Sequence, residues 1–436
     1  MALVAIAMIA ILAMAALSID TVTLYLAREE AQRAADAAAL AGARILSLSG
    51  MTGDPGNATN SWTPACNAAT AVATAVVQQN LIAGLSLPVA QITVTFPNNP
   101  ACGGNAVFGI NPEIAVKVSR QNLPSFFARI WGTTSNTVVA NATAEAFNPS
   151  NSGSVGSNGL VPVQPRCVKP WMVPNLDPDN AGKAFVDPAT GSVITPGVQL
   201  LNGGVIGESF QLHSPCVNSK TDCDLPNDIS YTTLQSSAGS LDYVPAQVVQ
   251  SNSTAISTAH SPYCTNTDYY EMAIDGCDQQ THYNCGTANG ANIDLDINPV
   301  HPTPFGGETS NAIQCMVGPN GGMDQLNPGT VTTPIYPFQI MAGLNNPLVS
   351  AGIVNNDDLI TSSNSIVTLP IITNPPTITL NNQPVTVVGY LQAFIQNLNT
   401  GSPTVYVLNV SGCSGAATAQ PVTGTSPVPI RLITPP

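Results

Sequence analysis

The 436-residue sequence predicts an α+β protein in three parts: a long hydrophobic helix at the amino terminus, a small α+β domain, and a larger β-rich domain stapled by disulfides. Three observations carry that reading. The first 46 residues follow one helical pattern, apolar at its start and alanine-rich afterwards. Helical and strand spacings then alternate as far as residue 147. Beyond residue 160 turn residues recur every few positions, and eight of the ten cysteines lie there.

The first element runs from Met1 to Ile19 without a charged residue, a proline or a glycine. At roughly 1.5 Å per residue this is about the length that crosses a bilayer. Charge begins at Asp20, and the helical pattern continues: Leu24, Ala27, Ala31, Ala34, Ala38, Ala41 and Ile45 recur at three- and four-residue intervals and share a face. Gly50, Gly53 and Pro55 end it. Such an element is expected either in a membrane or packed among sister helices in a filament core. Met1 opens directly into apolar residues with no preceding basic cluster, so the expectation is a start produced by processing or truncation.

The parts expected are a helix over 1–47, a linker over 48–63, an α+β domain over 64–147, a second linker over 148–159 and a β-rich outer domain over 160–436. Within the first domain, Ala65 to Leu85 reads as a helix with Ala69, Val72, Val76, Val77 and Leu81 on its buried face. Gln91–Phe96, Glu113–Val118 and Asn136–Phe147 read as strands, with a short helix at Ser125–Trp131. In the outer domain Val385–Gly389 and Val405–Val410 read as strands, Tyr390–Leu398 as a short helix, and Val428–Ile433 as an extended piece.

Only 8% of residues are charged, against a usual figure of about 25%. Eleven Lys and Arg face 25 Asp and Glu, a formal charge of -14, and the cations are thinly spread. Phosphate backbones are bound by clustered cations, so no nucleic acid is expected as a partner. An acidic, lysine-poor chain also suits an acidic habitat. The cysteines, Cys66, Cys102, Cys167, Cys216, Cys223, Cys264, Cys277, Cys285, Cys315 and Cys413, all follow the apolar helix. That placement points to an oxidising compartment and to disulfides. Cys66 with Cys102 can close the first domain and the other eight can staple the second.

The stretch Ile19 to Ala43, IDTVTLYLAREEAQRAADAAALAGA, resembles the amino-terminal signature of the TadG-like proteins of the Tad (tight adherence, Flp) pilus-assembly system. That signature has an Asp closing an apolar segment, an aromatic, Arg, Gln and an alanine run, here Asp20, Tyr25, Arg28, Gln32 and Ala34 to Ala43. PSFFARIWG at Pro124–Gly132, followed by VVANATAEA at Val138–Ala146, is similar to the end of the same family's first extracytoplasmic region. NAIQCMVGPNGG, VTVVGYLQAFIQNLN and VPIRLI resemble a carboxy-terminal region of some members. Larger members carry a von Willebrand A domain. No D-x-S-x-S cation motif occurs in this sequence, so metal-dependent adhesion by that route is not expected.

The residues expected to serve helix packing and assembly are Asp20, Tyr25, Arg28, Gln32, Ala34, Ala35, Asp36, Ala38, Leu40, Ala41 and Gly42. Asp20 has two readings: it marks the bilayer surface, or it makes a registry contact with a neighbouring helix. The small residues of the alanine run let backbones approach closely, between subunits or against the chain's own domain. Glu29 with Arg33 and Arg33 with Asp36 have the spacing of intrahelical ion pairs. Cys277, His282 and Cys285, and His213 with Cys216, sit near enough for a metal, but the spacing is no zinc pattern and disulfides are expected instead. Asp275, Asp278, Asn292, Asp294 and Asp296 form no EF-hand order, so no metal or cofactor is expected. Asn57 and Asn141 head tripeptides that match glycosylation acceptors, as chance provides in a chain this rich in Asn and Thr.

No nucleophile elbow, phosphate loop, H-E-x-x-H or dinucleotide motif occurs, and an enzyme is not expected. The resemblance implies a pilin-like structural protein of the bacterial cell envelope, with its helix in the inner membrane or a filament core. Its partners would be that membrane, copies of itself and other pilus-assembly components, in the service of surface attachment. The alternative is a membrane-anchored binding module whose outer domain recognises a surface glycan, with Tyr263, Tyr269, Tyr270 and Tyr283 as the candidate contacts.

Overall fold

The structure is a computed structural model. It describes residues 2–49, 62–103, 111–125, 127, 132, 135–148, 163–180, 183–195, 197–214, 239–249, 269–278, 280–285, 291–293, 307–330, 332–373, 383–399, 402–413, 422–424 and 426–433. The overall class is α+β, as the sequence indicates.

The first helix, α1, runs Ala2–Leu48, 47 residues and so about 70 Å long. No proline interrupts it, and its first glycine is Gly42. The second helix, α2, spans Trp62–Gln79 and buries Trp62, Ala65, Cys66, Ala69, Ala73 and Val77. It ends six residues before the expected boundary because residues 82–85 close a tight turn: Ile82 and Leu85 exchange backbone hydrogen bonds of 2.9 and 3.3 Å. Ala83 and Gly84 adopt φ of 51° and 75° in that turn. Leu81, expected on the buried face, is therefore exposed, and Ile82 is buried in its place.

Beside the two helices lies an antiparallel four-stranded sheet. Its first three strands are β1 (Ile92–Thr95), β2 (Glu113–Pro124) and β3 (Ser135–Ala146). Ile114, Val116 and Val118 of β2, with Val138, Ala140, Ala142 and Ala144 of β3, alternate inward onto α1 and α2 and form one core with them. The fourth strand, Ile430–Ile433, pairs with β3 in the register Ile430↔Ala146 to Ile433↔Thr143. This carboxy-terminal strand, grouped with 160–436 on sequence grounds, completes the amino-terminal sheet. Arg431 anchors it by an ion pair with Glu145 and by stacking 4.7 Å over the ring of Phe147. The short helix expected at Ser125–Trp131 falls mostly outside the described residues, and Ser125 and Phe127 are not helical.

Residues 163 to 424 build a second unit around a seven-stranded mixed sheet. Its centre is the hairpin of Val387–Asn399 and Ser402–Gly412, paired from Gly389↔Gly412 to Asn399↔Ser402. The helix expected at Tyr390–Leu398 is thus a strand. Both of its faces are covered: Tyr390 packs with Met172, Tyr283 and Ile372, while Leu391, Ala393 and Ile395 enter the large core with Trp171, Phe185 and Phe210. A strand buried on both sides loses its alternation and reads as an apolar run, in which Leu391, Phe394, Ile395 and Leu398 mimic helical spacing. Leu48, near the end of α1, enters the same large core, and Asn409 of the hairpin donates its amide to the Ser47 carbonyl at 2.6 Å. The two units are joined there.

Three disulfides stand in the described residues: Cys66–Cys102, Cys167–Cys277 and Cys285–Cys413. The first closes the small domain as its spacing suggested. Cys315 is disulfide-bonded as well, whereas Cys216, Cys223 and Cys264 lie outside the described residues. Disulfides of this number fit an extracytoplasmic location. The pairing of Cys277 and Cys285 withdraws both from metal chemistry. Asp294, Asp296 and Tyr263 are outside the description.

A buried carboxyl cluster makes the second unit sensitive to pH. Asp177 and Glu208 are 0% and 2% exposed, and both accept the backbone N–H of Asp179, at 3.0 and 3.1 Å. Burial first, then the charges of Asp177 and Asp179, push the Glu208 carboxyl up to about 9. Glu208 therefore keeps its proton in the folded chain and loses it on unfolding wherever the pH exceeds its ordinary value of 4.5. Folding stability should consequently decline as pH rises from about 4.5 to 9. In Glu208→Gln the amide imitates the protonated acid. Thermal unfolding of this variant across that window should be flatter than wild type, with the higher melting temperature at the alkaline end.

Candidate assembly interface

The surroundings of α1 change along its length. From Ala27 onward the helix is enclosed: Ala31, Ala34, Ala35, Ala38, Ala39 and Ala43 are 0% exposed, held between α2 on one side and β2 and β3 on the other. Leu40 and Ala41 are half-buried, and Leu40 packs against the same core. At Gly42 the backbones come so close that a Cβ would stand 2.4 Å from Ile114 Cδ1 and 3.5 Å from the Ala69 carbonyl oxygen. The small residues of the alanine run thus serve packing against the chain's own domain.

Before Ala27, most of the described side chains of the helix are exposed. Val4, Met8, Ile11, Met14, Leu17, Ile19, Val22, Tyr25 and Leu26 are all exposed, between 49% at Ile19 and 65% at Met14. Successive side chains turn about 100°, so these nine positions sweep about 200° of the circumference. Three hydroxyls in this stretch bond back to the helix itself. Ser18, Thr21 and Thr23 donate their hydroxyls to the carbonyls of Ala15, Leu17 and Asp20 at 2.7 to 2.9 Å.

Asp20, 4% exposed, lies opposite the exposed arc. Its Oδ2 accepts the Phe127 backbone N–H at 3.0 Å and the Ser125 hydroxyl at 3.3 Å. The cost of a carboxylate beside an apolar segment is met here by hydrogen bonds within the chain, through the segment that follows β2. Gln32 ties the helix to the sheet, donating to the Asn141 carbonyl at 3.0 Å and to Asp36 Oδ1 at 2.8 Å. The intrahelical ion pairs expected for Arg33 do not form: Asp36 takes the Gln32 amide, and Arg33 Nε bonds the Glu29 carbonyl at 3.4 Å. Glu30, which no motif singled out, accepts the N–H of Ala83 at 2.7 Å and so holds the left-handed turn after α2. Tyr25 and Arg28 border a groove of about 380 Å³ between α1 and residues 136–139 of β3.

The tyrosines expected to meet a glycan do not gather on a surface. Tyr270 and Tyr283 are buried, and only Tyr269 of the described three is exposed. Burial came from their membership of the two cores of the second unit, which composition alone cannot indicate. Among the described residues no helix is long and apolar enough to cross a membrane. The bilayer-spanning expectation for α1 therefore gains no support from them.

Comparison with known proteins singles out the same element. Residues 1–44 match the family model described as putative Flp pilus-assembly TadE/G-like. Neither the curated proteins nor the solved structures yield a match. The matched segment ends within the last turns of α1, so the family signal and the helix coincide. The amino-terminal 44 residues are thus similar to a TadE/G-like Flp pilus-assembly segment, a likeness that supports a Tad-related pilus role.

Proposed function

We propose that this chain is a non-enzymatic, pilin-like structural protein of a Tad-type pilus or related surface filament. It polymerises, or is anchored in the inner membrane, through the first half of α1, and it supports surface attachment. The observation that carries this reading is the exposed apolar arc from Val4 to Leu26. Covering apolar surface is worth roughly 25 cal/mol per Å², so nine large side chains left half-wet would together cost many kcal/mol. Lipid or sister helices remove that cost. The back-bonded hydroxyls of Ser18, Thr21 and Thr23 already suit a site without water. Assembly then exchanges lipid contacts for helix contacts, while the two outer units form a sheath and other pilus-assembly components act on the subunit.

A second reading, an anchored module that binds a surface glycan, has one observation in its favour. A cleft of about 370 Å³ in the second unit is lined by the amides of Asn320, Gln325, Asn356, Gln396 and Asn397 with Asp357. Amides and carboxylates of this kind suit sugar hydroxyls. One experiment separates the readings. Purified full-length chain, freed of detergent, should give filaments by electron microscopy in which residues 2–43 resist protease. Discrete particles that capture a glycan array would instead favour the module. A freely dispersed chain whose first helix is cut by protease would defeat the filament reading.

A further inference from the structure

The end of α1 brings an unpartnered cation into a partly open pocket. Arg44 lines a cavity of about 210 Å³, together with Lys169, Ser363, Asn364, Thr368 and Gln392 of the second unit. Its Nε is sealed from solvent and has no hydrogen-bond partner. Burial holds the guanidinium below its ordinary pKa. Lys169, 5% exposed, spends its three hydrogens on the carbonyls of Ala273, Ile274 and Gly276, so it supplies the cavity with charge rather than with donors. Asp275 lies beside Lys169 and offsets part of that charge, but among the described residues no carboxylate lines the cavity. Two of only eleven Lys and Arg in a chain of formal charge -14 thus meet at one space.

The neutral groups narrow what fits. Gln392, 2% exposed, gives its amide N–H to Ser426 Oγ at 2.8 Å and leaves Oε1 unpaired. The cavity therefore offers a guanidinium whose buried Nε needs an acceptor and a buried side-chain carbonyl that needs a donor. A hydrogen-bearing oxyanion supplies both from one small body: its bare oxygens meet the guanidinium, and its hydroxyl meets the carbonyl. Sulfate offers acceptors alone, and chloride has neither the planar geometry for the guanidinium nor a proton to give.

We propose that this cavity binds a phosphate group, with Arg44 as its principal ligand, Lys169 as a fixed counter-charge and Gln392 as the acceptor that favours phosphate over sulfate. The ion then bridges α1 to the second unit. The test uses the full chain in detergent, titrated with inorganic phosphate at constant ionic strength against chloride while thermal unfolding is followed. A saturable rise in melting temperature of about 3 °C is expected near 100-fold excess over Kd, with a smaller rise in sulfate. Glycerol phosphate in a parallel titration identifies the source, since a larger rise than with inorganic phosphate marks an ester as the ligand. Arg44→Gln should weaken binding by about 10-fold or more, and Arg44→Lys by less. No saturable effect of either phosphate in the wild-type chain, or an equal effect in Arg44→Gln, overturns the proposal. The wild-type ion series decides even if the variants fail to fold.

Discussion

Full-length chain carrying Ile11→Asp, Met14→Asp and Leu17→Asp together is expected to remain dispersed without detergent and to form no filaments. The three positions sit on the uncovered side of α1, with exposures of 61%, 65% and 51%, so the new carboxylates disturb no contact inside the subunit. Between sister helices or in lipid each buried, unpaired carboxylate costs at least about 2.5 kcal/mol, which forfeits assembly several times over. The outer units should keep their disulfides and their unfolding transition. The measurement is sedimentation with electron microscopy, beside circular dichroism to show that folding persists. Filaments of normal length in the triple variant would remove the helix from the interface and end the structural reading proposed above.

Gly42→Leu carries the second large effect, this time within the subunit. A Cβ at this position already meets Ile114 Cδ1 at 2.4 Å, and Ile114, Ala69 and Ala73 around it are fully buried. The added side chain must force α1 away from α2 or β2. Overpacking of this kind costs typically 1–3 kcal/mol, and here it acts where helix and sheet share one core. Gly42→Ala is the instructive partner. Helix propensity favours alanine by about 1 kcal/mol, which sets the close contact with the movable end of Ile114 against a gain and predicts a change within about 1 kcal/mol. Denaturant unfolding of the two variants, with hydrogen exchange over α2 and β2, would show the difference. Equal stability of Gly42→Leu and wild type would contradict the close packing of α1 on β2.

The sequence revealed most where one periodicity met one environment. α1 was legible because an unbroken apolar start and an alanine face at helical spacing leave little else for residues 2–48 to form. β1, β2 and β3 were legible because each buries a single face, so Ile114, Val116 and Val118 alternate cleanly. The hairpin at residues 387–412 was half-missed because two cores cover it, and a doubly buried strand carries no alternation to read. Asp20 stood out in the sequence, but its partners at Ser125 and Phe127 lie more than 100 residues away, beyond any local signal. Arg44 drew no notice. A lone cation near the end of an alanine helix looks solvated until the second unit is seen to enclose it.

The strand Ile430–Ile433 sits beside β3, although 286 residues separate Arg431 from its Glu145 partner. The large unit is therefore an insertion looped out between neighbouring strands of the small one, and two backbone crossings connect them. In the filament proposed above, traction on the outer unit would be shared by both crossings and would reach α1 through the antiparallel pairing of Ile430–Ile433 with β3. The same layout imposes a schedule on biosynthesis. The small sheet waits, with one flank of β3 bare, until residues 430–433 have emerged.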